Sequence, residues 1–169
     1  MGPKGVLCHL TSLPDSGLDG ARRFLDWMSD AGYSAWQMLP VTPPDEHGSP
    51  YASPSAFAGW PELMQSQRME TNEEDGYWMD DWALYAAIKQ AHQGRPWFEW
   101  PEPLRNKDLQ AVEAYREDAQ VHLDQQGRFN AAWAELKHHA ANQGIQLIGD
   151  VPIFISHDSR SEEHTSELQ

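Results

Sequence analysis

Two places in the sequence bring together residue types that could handle a polar substrate. Asp150 closes the apolar run Ile145-Gln146-Leu147-Ile148-Gly149, and in a barrel or an open parallel sheet the carboxyl end of a strand is where such folds build their sites. A carboxylate there can accept hydrogen bonds from substrate hydroxyls; the plain alternative is a turn or helix-capping aspartate. The second place is Ser49-Pro50-Tyr51, which lies beyond the end of another apolar run, Ser34 to Leu39. If the two runs are parallel strands, this loop shares a rim with Asp150. Ser49 could then bond a hydroxyl while Tyr51 stacks on a ring, or the prolines could simply stiffen a turn in which Tyr51 packs. Eight tryptophans and five tyrosines favour the same chemistry. The C–H face of a pyranose stacks on an indole and its hydroxyl rim takes polar partners, although rings of this kind also fill cores.

Other chemistries find little support. The eight histidines include the neighbours His138-His139, about 100° apart on a helix, and no pair at the i, i+4 spacing that shares a metal. Metal binding is not expected, and no Gly-rich phosphate loop appears. Cys8 sits inside an apolar run, which suits a small core residue better than an exposed, electropositively placed thiolate. A formal charge of -14 and a pI near 4.8 have the wrong sign for gripping phosphate backbones or anionic lipid, so neither nucleic acid nor membrane is an expected partner. One cysteine allows no internal disulfide, no apolar run approaches the roughly 20 residues of a membrane span, and Met1 to Val6 lacks the order of an export signal. A cytoplasmic protein is expected.

The elements that must position these residues follow from periodicity. Gly5 to Leu10 predicts a short strand buried on both faces, as in a parallel sheet. Thr11 to Asp19 is turn chemistry, and Phe24, Leu25, Met28 and Ala31 recur at helical spacing up to a stop at Gly32, giving a helix over residues 20–31. A second strand, Ser34 to Leu39, closes at Pro40. Six prolines between Pro40 and Pro61 then mark a long ordered loop carrying Ser49 and Tyr51. Met79 to Ala91 is apolar on two stripes and predicts a buried helix. One or two further helices follow through Val112, Tyr115, Ala119, Leu123, Phe129, Trp133 and Leu136, with Gly127 a break point. Asn142-Gln143-Gly144 ends them, and a third strand is expected over residues 145–154.

Five segments in this order resemble the 4-α-glucanotransferase family, the amylomaltases or disproportionating enzymes of glycoside hydrolase family 77. They are Gly5 to Pro14 (GVLCHLTSLP), Ala35 to Pro40 (AWQMLP), Gly48 to Gly59 (GSPYASPSAFAG), Pro96 to Leu104 (PWFEWPEPL) and Ile145 to Ser159 (IQLIGDVPIFISHDS). Each motif is common in some form; their joint occurrence at this spacing is specific. The resemblance implies an α/β protein holding about three strands of a (β/α)8 TIM barrel, with a helical subdomain inserted between strands 2 and 3. Residues 1–59 would give the first strand-helix-strand and the rim loop, 60–143 the inserted subdomain, and 144–159 the third strand. It also implies transfer of α-1,4-glucan segments between maltooligosaccharides by a retaining mechanism, with no metal or organic cofactor and with Ser49, Tyr51 and Asp150 in substrate contact. The family's nucleophile, its acid/base and its stabilising carboxylate map onto no position here, so no catalytic residue is assigned and the chain alone is expected to be inactive.

Two departures from the family pattern stand out. The segment Asp15 to Asp19 is shorter than the family's Gly-rich loop, which trims that rim. Residues 160–169 match an in-frame translation of a sequencing-library adapter, so the native frame is expected to be cut after Ser159. Rivals from other classes are a stand-alone carbohydrate-binding or helical interaction module, which would bind glucan without turnover, and a glucan hydrolase on the same barrel, which would differ in its acceptor.

Overall fold

A computed structural model describes residues 4–64, 78–153 and 156–159. Three short strands form one parallel sheet in the order β1 (Gly5–Leu7), β2 (Ala35–Gln37), β3 (Gln146–Ile148). Gly5, Ala35 and Gln146 stand side by side, as do Val6, Trp36 and Leu147, and then Leu7, Gln37 and Ile148. Because side chains alternate across a strand, the middle row points to one face and the outer rows to the other. The middle row packs into the main core with Leu10, Leu25, Met28, Met38 and Leu136. The other face is open, with Leu7 64% and Ile148 40% exposed. Burial on both faces, expected from the apolar runs, is therefore corrected: the described residues cover one face only. The strands are also shorter than expected. After β1 the backbone turns into a 3-10 segment at Leu10–Ser12, and β3 ends at Ile148, leaving Val151 and Ile153 exposed outside the ladder; Phe154, expected in that strand, lies outside the described residues.

The cover of the packed face comes from α1 (Leu18–Asp30) and the second half of α5 (Arg116–Asn142). Each ends in the same device. Beyond α1, Gly32 takes φ 73°, its N–H reaches the Ser29 carbonyl at 3.0 Å and Tyr33 N–H reaches the Met28 carbonyl at 2.9 Å. Beyond α5, Gly144 takes φ 69°, with Gly144 N–H on Ala141 and Ile145 N–H on Ala140. A left-handed residue closing two orphan carbonyls stops a helix within one turn, so each chain reverses directly into β2 or β3.

Between β2 and β3 the chain builds α2 (Met79–Ala91), the short α3 (Glu102–Arg105) and α4 (Leu109–Glu113), and α5. Asp108 caps α4 by accepting from the N–H groups of Gln110 and Ala111. Tyr85, Ile88, Trp100, Leu104 and Val112 form a second core, and Ala83, Ala87 and Ala119 a third. The first half of α5 thus belongs with α2 and its second half with the sheet. Gly127 is not a break: α5 runs through it unbroken and buries it, because packing on both sides outweighs the roughly 1 kcal/mol that glycine costs a helix relative to alanine. Among the described residues no helix is long and apolar enough to cross a membrane.

Candidate functional site

Parallel strands put the ends of β1, β2 and β3 on one rim, and the long loop after β2 folds over it. This loop satisfies itself. The Asp45 carboxylate accepts from the N–H groups of His47 (3.0 Å) and Ser49 (2.7 Å), and Asp45 N–H donates to the Ser49 carbonyl at 3.1 Å. Gly48 supplies φ 81° in that turn. A 3-10 turn follows at Pro50–Ala52. Two buried serines then hold the next corner. Ser53 Oγ donates to the Ser55 carbonyl at 2.7 Å, and Ser55 Oγ accepts from the N–H groups of Phe57 and Ala58. The far end is sewn to α5 by the buried Gln126 amide, whose Oε1 accepts from Gly59 N–H at 2.8 Å and whose Nε2 donates to the Gly59 carbonyl at 2.9 Å.

The loop so fixed carries Tyr51 to Asp150. The Tyr51 hydroxyl donates to Asp150 Oδ2 at 3.0 Å, and Val151 N–H donates to Oδ1 at 2.9 Å. The hydrogen bond to Asp150, with desolvation and the carboxylate's charge behind it, raises the Tyr51 pKa above its ordinary value. With the phenol proton committed to the carboxylate, both groups keep lone pairs on an accessible edge, where they can accept from ligand hydroxyls. Ser49 lies two residues from Tyr51 on the same rim. Its backbone closes the Asp45 turn, and its side chain does not cap the following 3-10 turn.

The same loop walls a cleft of about 620 Å³, through Pro44 to His47, Ala52 and Pro54, together with Lys89 and Phe98 of the helical part and Ser156 to Asp158; Tyr51 and Asp150 do not line it. Asp45 and Asp158 were not singled out from sequence. Asp45 carries a recognisable signal, an aspartate after two prolines, which favours an Asx turn. Asp158 pairs with Lys89, 69 residues away, and nothing local announces such a partner. Among the described residues no three His, Cys, Asp or Glu side chains are grouped to hold a metal ion. Of the tryptophans, Trp36 and Trp100 are buried and only Trp27 is half exposed.

The model of one protein family, described as 4-alpha-glucanotransferase, matches residues 8–74 and 64–162. The chain belongs to the 4-alpha-glucanotransferase family. The 4-alpha-glucanotransferase of Thermus thermophilus is 33% identical over 92% of this chain and 43% of its own length. The chloroplastic/amyloplastic 4-alpha-glucanotransferase of Arabidopsis thaliana is 29% identical over 92% of this chain and 38% of its own. Among solved structures, an amylomaltase from Streptococcus agalactiae in complex with acarbose superposes with a TM-score of 0.80 at 26% identity, covering 94% of this chain and 45% of that one. The chain therefore spans less than half the length of these 4-alpha-glucanotransferase relatives. The likeness extends through the inserted helices as well as the sheet.

Proposed function

We propose that this chain supplies the first part of the substrate cleft of a cytoplasmic 4-α-glucanotransferase, which passes α-1,4-glucan segments between maltooligosaccharides. The single observation that carries the reading is the Tyr51 to Asp150 hydrogen bond across the rim. It joins the loops after β2 and β3 in an edge of acceptor oxygens suited to sugar hydroxyls, in a chain whose relatives are glucanotransferases. Ser49, Tyr51 and Asp150 contact substrate. The three strands form the opening portion of a (β/α)8 barrel whose helical insertion follows β2.

Retaining transfer needs a nucleophilic carboxylate and a protonated carboxylic acid about 5–5.5 Å apart across the scissile bond. It also needs a site dry enough for a sugar hydroxyl to outcompete water as acceptor. Neither requirement is assigned to residues of this chain. The roles left to its own groups are binding ones: Asp150 accepts from sugar hydroxyls, Tyr51, whose one hydroxyl proton goes to Asp150, accepts from a sugar hydroxyl or stacks on a ring, and the stiff loop keeps both in register.

Incubated with maltotriose, the 169-residue chain is expected to release no glucose above the blank, while calorimetric titration with maltoheptaose shows saturable binding. Sustained glucose release would overturn the assignment of chemistry to other parts of the enzyme. Absence of saturable binding would overturn the rim assignment.

A further inference from the structure

The segment after β3 is tied to the helical insertion at one residue from several directions. Lys89 Nζ of α2 pairs with Asp158 Oδ2, and the Tyr85 hydroxyl, one turn earlier on α2, donates to the Asp158 carbonyl. Trp97 N–H donates to Asp158 Oδ1 at 2.7 Å, and Trp97 Nε1–H donates to the neighbouring His157 carbonyl at 3.0 Å. The Lys89 and Asp158 side chains are only 29% and 21% exposed, so their charges are screened less than a surface pair's, and a charge-assisted bond there fixes geometry. The same segment reaches the substrate loop. Asp158 N–H donates to Ser156 Oγ at 3.2 Å, and Ser156 N–H donates to the Ser53 carbonyl at 3.1 Å, two residues beyond Tyr51. A series of hydrogen bonds therefore runs from α2 through Asp158 and Ser156 to Ser53, which lies two residues along the backbone from Tyr51.

From this geometry we infer that Asp158 is a positioning residue for glucan binding, clamping α2 to the segment after β3 so that the Tyr51 loop stays in bonding register with Asp150. The inference rests on the proposed glucan-binding role of that pair. Lys89 and Asp158 both wall the 620 Å³ cleft. Releasing the clamp would leave the loop tied to the insertion at its far end, by Gln126 and Gly59, and loosen it at the end that carries Tyr51.

The test reads the Tyr51 contact directly. With tyrosine labelled at Cζ with 13C and Tyr51 assigned through Tyr51→Phe, the Asp150→Ala variant marks the resonance position of the broken bond at pH 7. Asp158→Ala, which removes the carboxylate's bonds to Lys89 and Trp97 and leaves those of the backbone, is expected to move the Tyr51 signal toward that position and to weaken maltoheptaose binding about tenfold. Asp158→Asn, whose amide oxygen can still accept from Trp97 N–H, should restore part of both. An Asp158→Ala chain with a native-like far-ultraviolet spectrum and an unmoved Tyr51 signal overturns the proposal. If Asp158→Ala does not fold, Lys89→Met takes its place, since it keeps the aspartate and its bonds to Trp97; a folded Lys89→Met chain with an unmoved signal overturns it equally. The resonance needs no ligand. A shifted signal in a protein whose parent form binds no maltoheptaose would keep the clamp and reject only the glucan reading.

Discussion

Tyr51 and Asp150 lie 99 residues apart and meet at 3.0 Å; their shared rim was legible, because both follow apolar runs and parallel strands end on one side, but the bond between them was not. Ser49 was legible as a rim residue, but its part in closing the Asp45 turn was not, since that depends on a neighbour four residues earlier. His9 gave no signal at all. It continues an apolar run in the sequence, yet it is buried with neither ring nitrogen hydrogen-bonded among the described residues, and burial lowers its pKa. The neutral ring is thus the form the fold keeps. With an unfolded value near 6.5, the stabilising contribution is complete above about that pH and is lost as the pH falls toward the lowered folded value, with a slope of at most about 1.4 kcal/mol per pH unit. Urea midpoints taken from pH 8 to pH 5 should therefore decline below about 6.5. His122 is shifted the same way, chiefly by desolvation, so His9→Leu should make the decline shallower without abolishing it. An identical pH profile in His9→Leu would show that His9 is not the group responsible.

Among the elements, the joint between the loop after β2 and α5 is tightly specified. A Cβ on Gly59 would lie 1.9 Å from Phe129 Cδ1, and Phe129 is a buried core side chain with little room to retreat. Gly59→Ala is expected to cost about 1–3 kcal/mol in urea unfolding, and Phe129→Ala in the same chain should recover part of that loss; strictly additive effects would argue against the contact. The helices were largely legible. The 3.6-residue period places α1 and α2 within two residues of where they form, because each has a repeating apolar face. The fate of Gly127 was not legible, since what sustains α5 there is packing against residues distant in sequence. Strand lengths failed for a similar reason. Apolar runs mark what a sheet can bury, whereas the ladder extends only as far as a neighbouring backbone accompanies it.

At the level of the molecule, order along the chain revealed an α/β architecture with a helical excursion, and the structure has that order. It could not reveal that one face of the sheet would be open, because Leu7 and Ile148 are as apolar as the residues that pack against α1 and α5. With Val151 71% and Ile153 69% exposed as well, and both outer strands lacking a further partner among the described residues, the isolated chain should bind the dye ANS and associate with itself. Leu7→Ser with Ile148→Thr should lower both, as read by dye fluorescence and light scattering. A monomer that stays dark with ANS at high concentration would contradict this.

The central claim is that Tyr51 and Asp150 form a sugar-binding edge, and calorimetric titration of maltoheptaose into the chain and its Asp150→Asn variant tests it most directly. The account predicts saturable binding to the parent and at least tenfold weaker binding to the variant. Equal affinity in the two chains would contradict it.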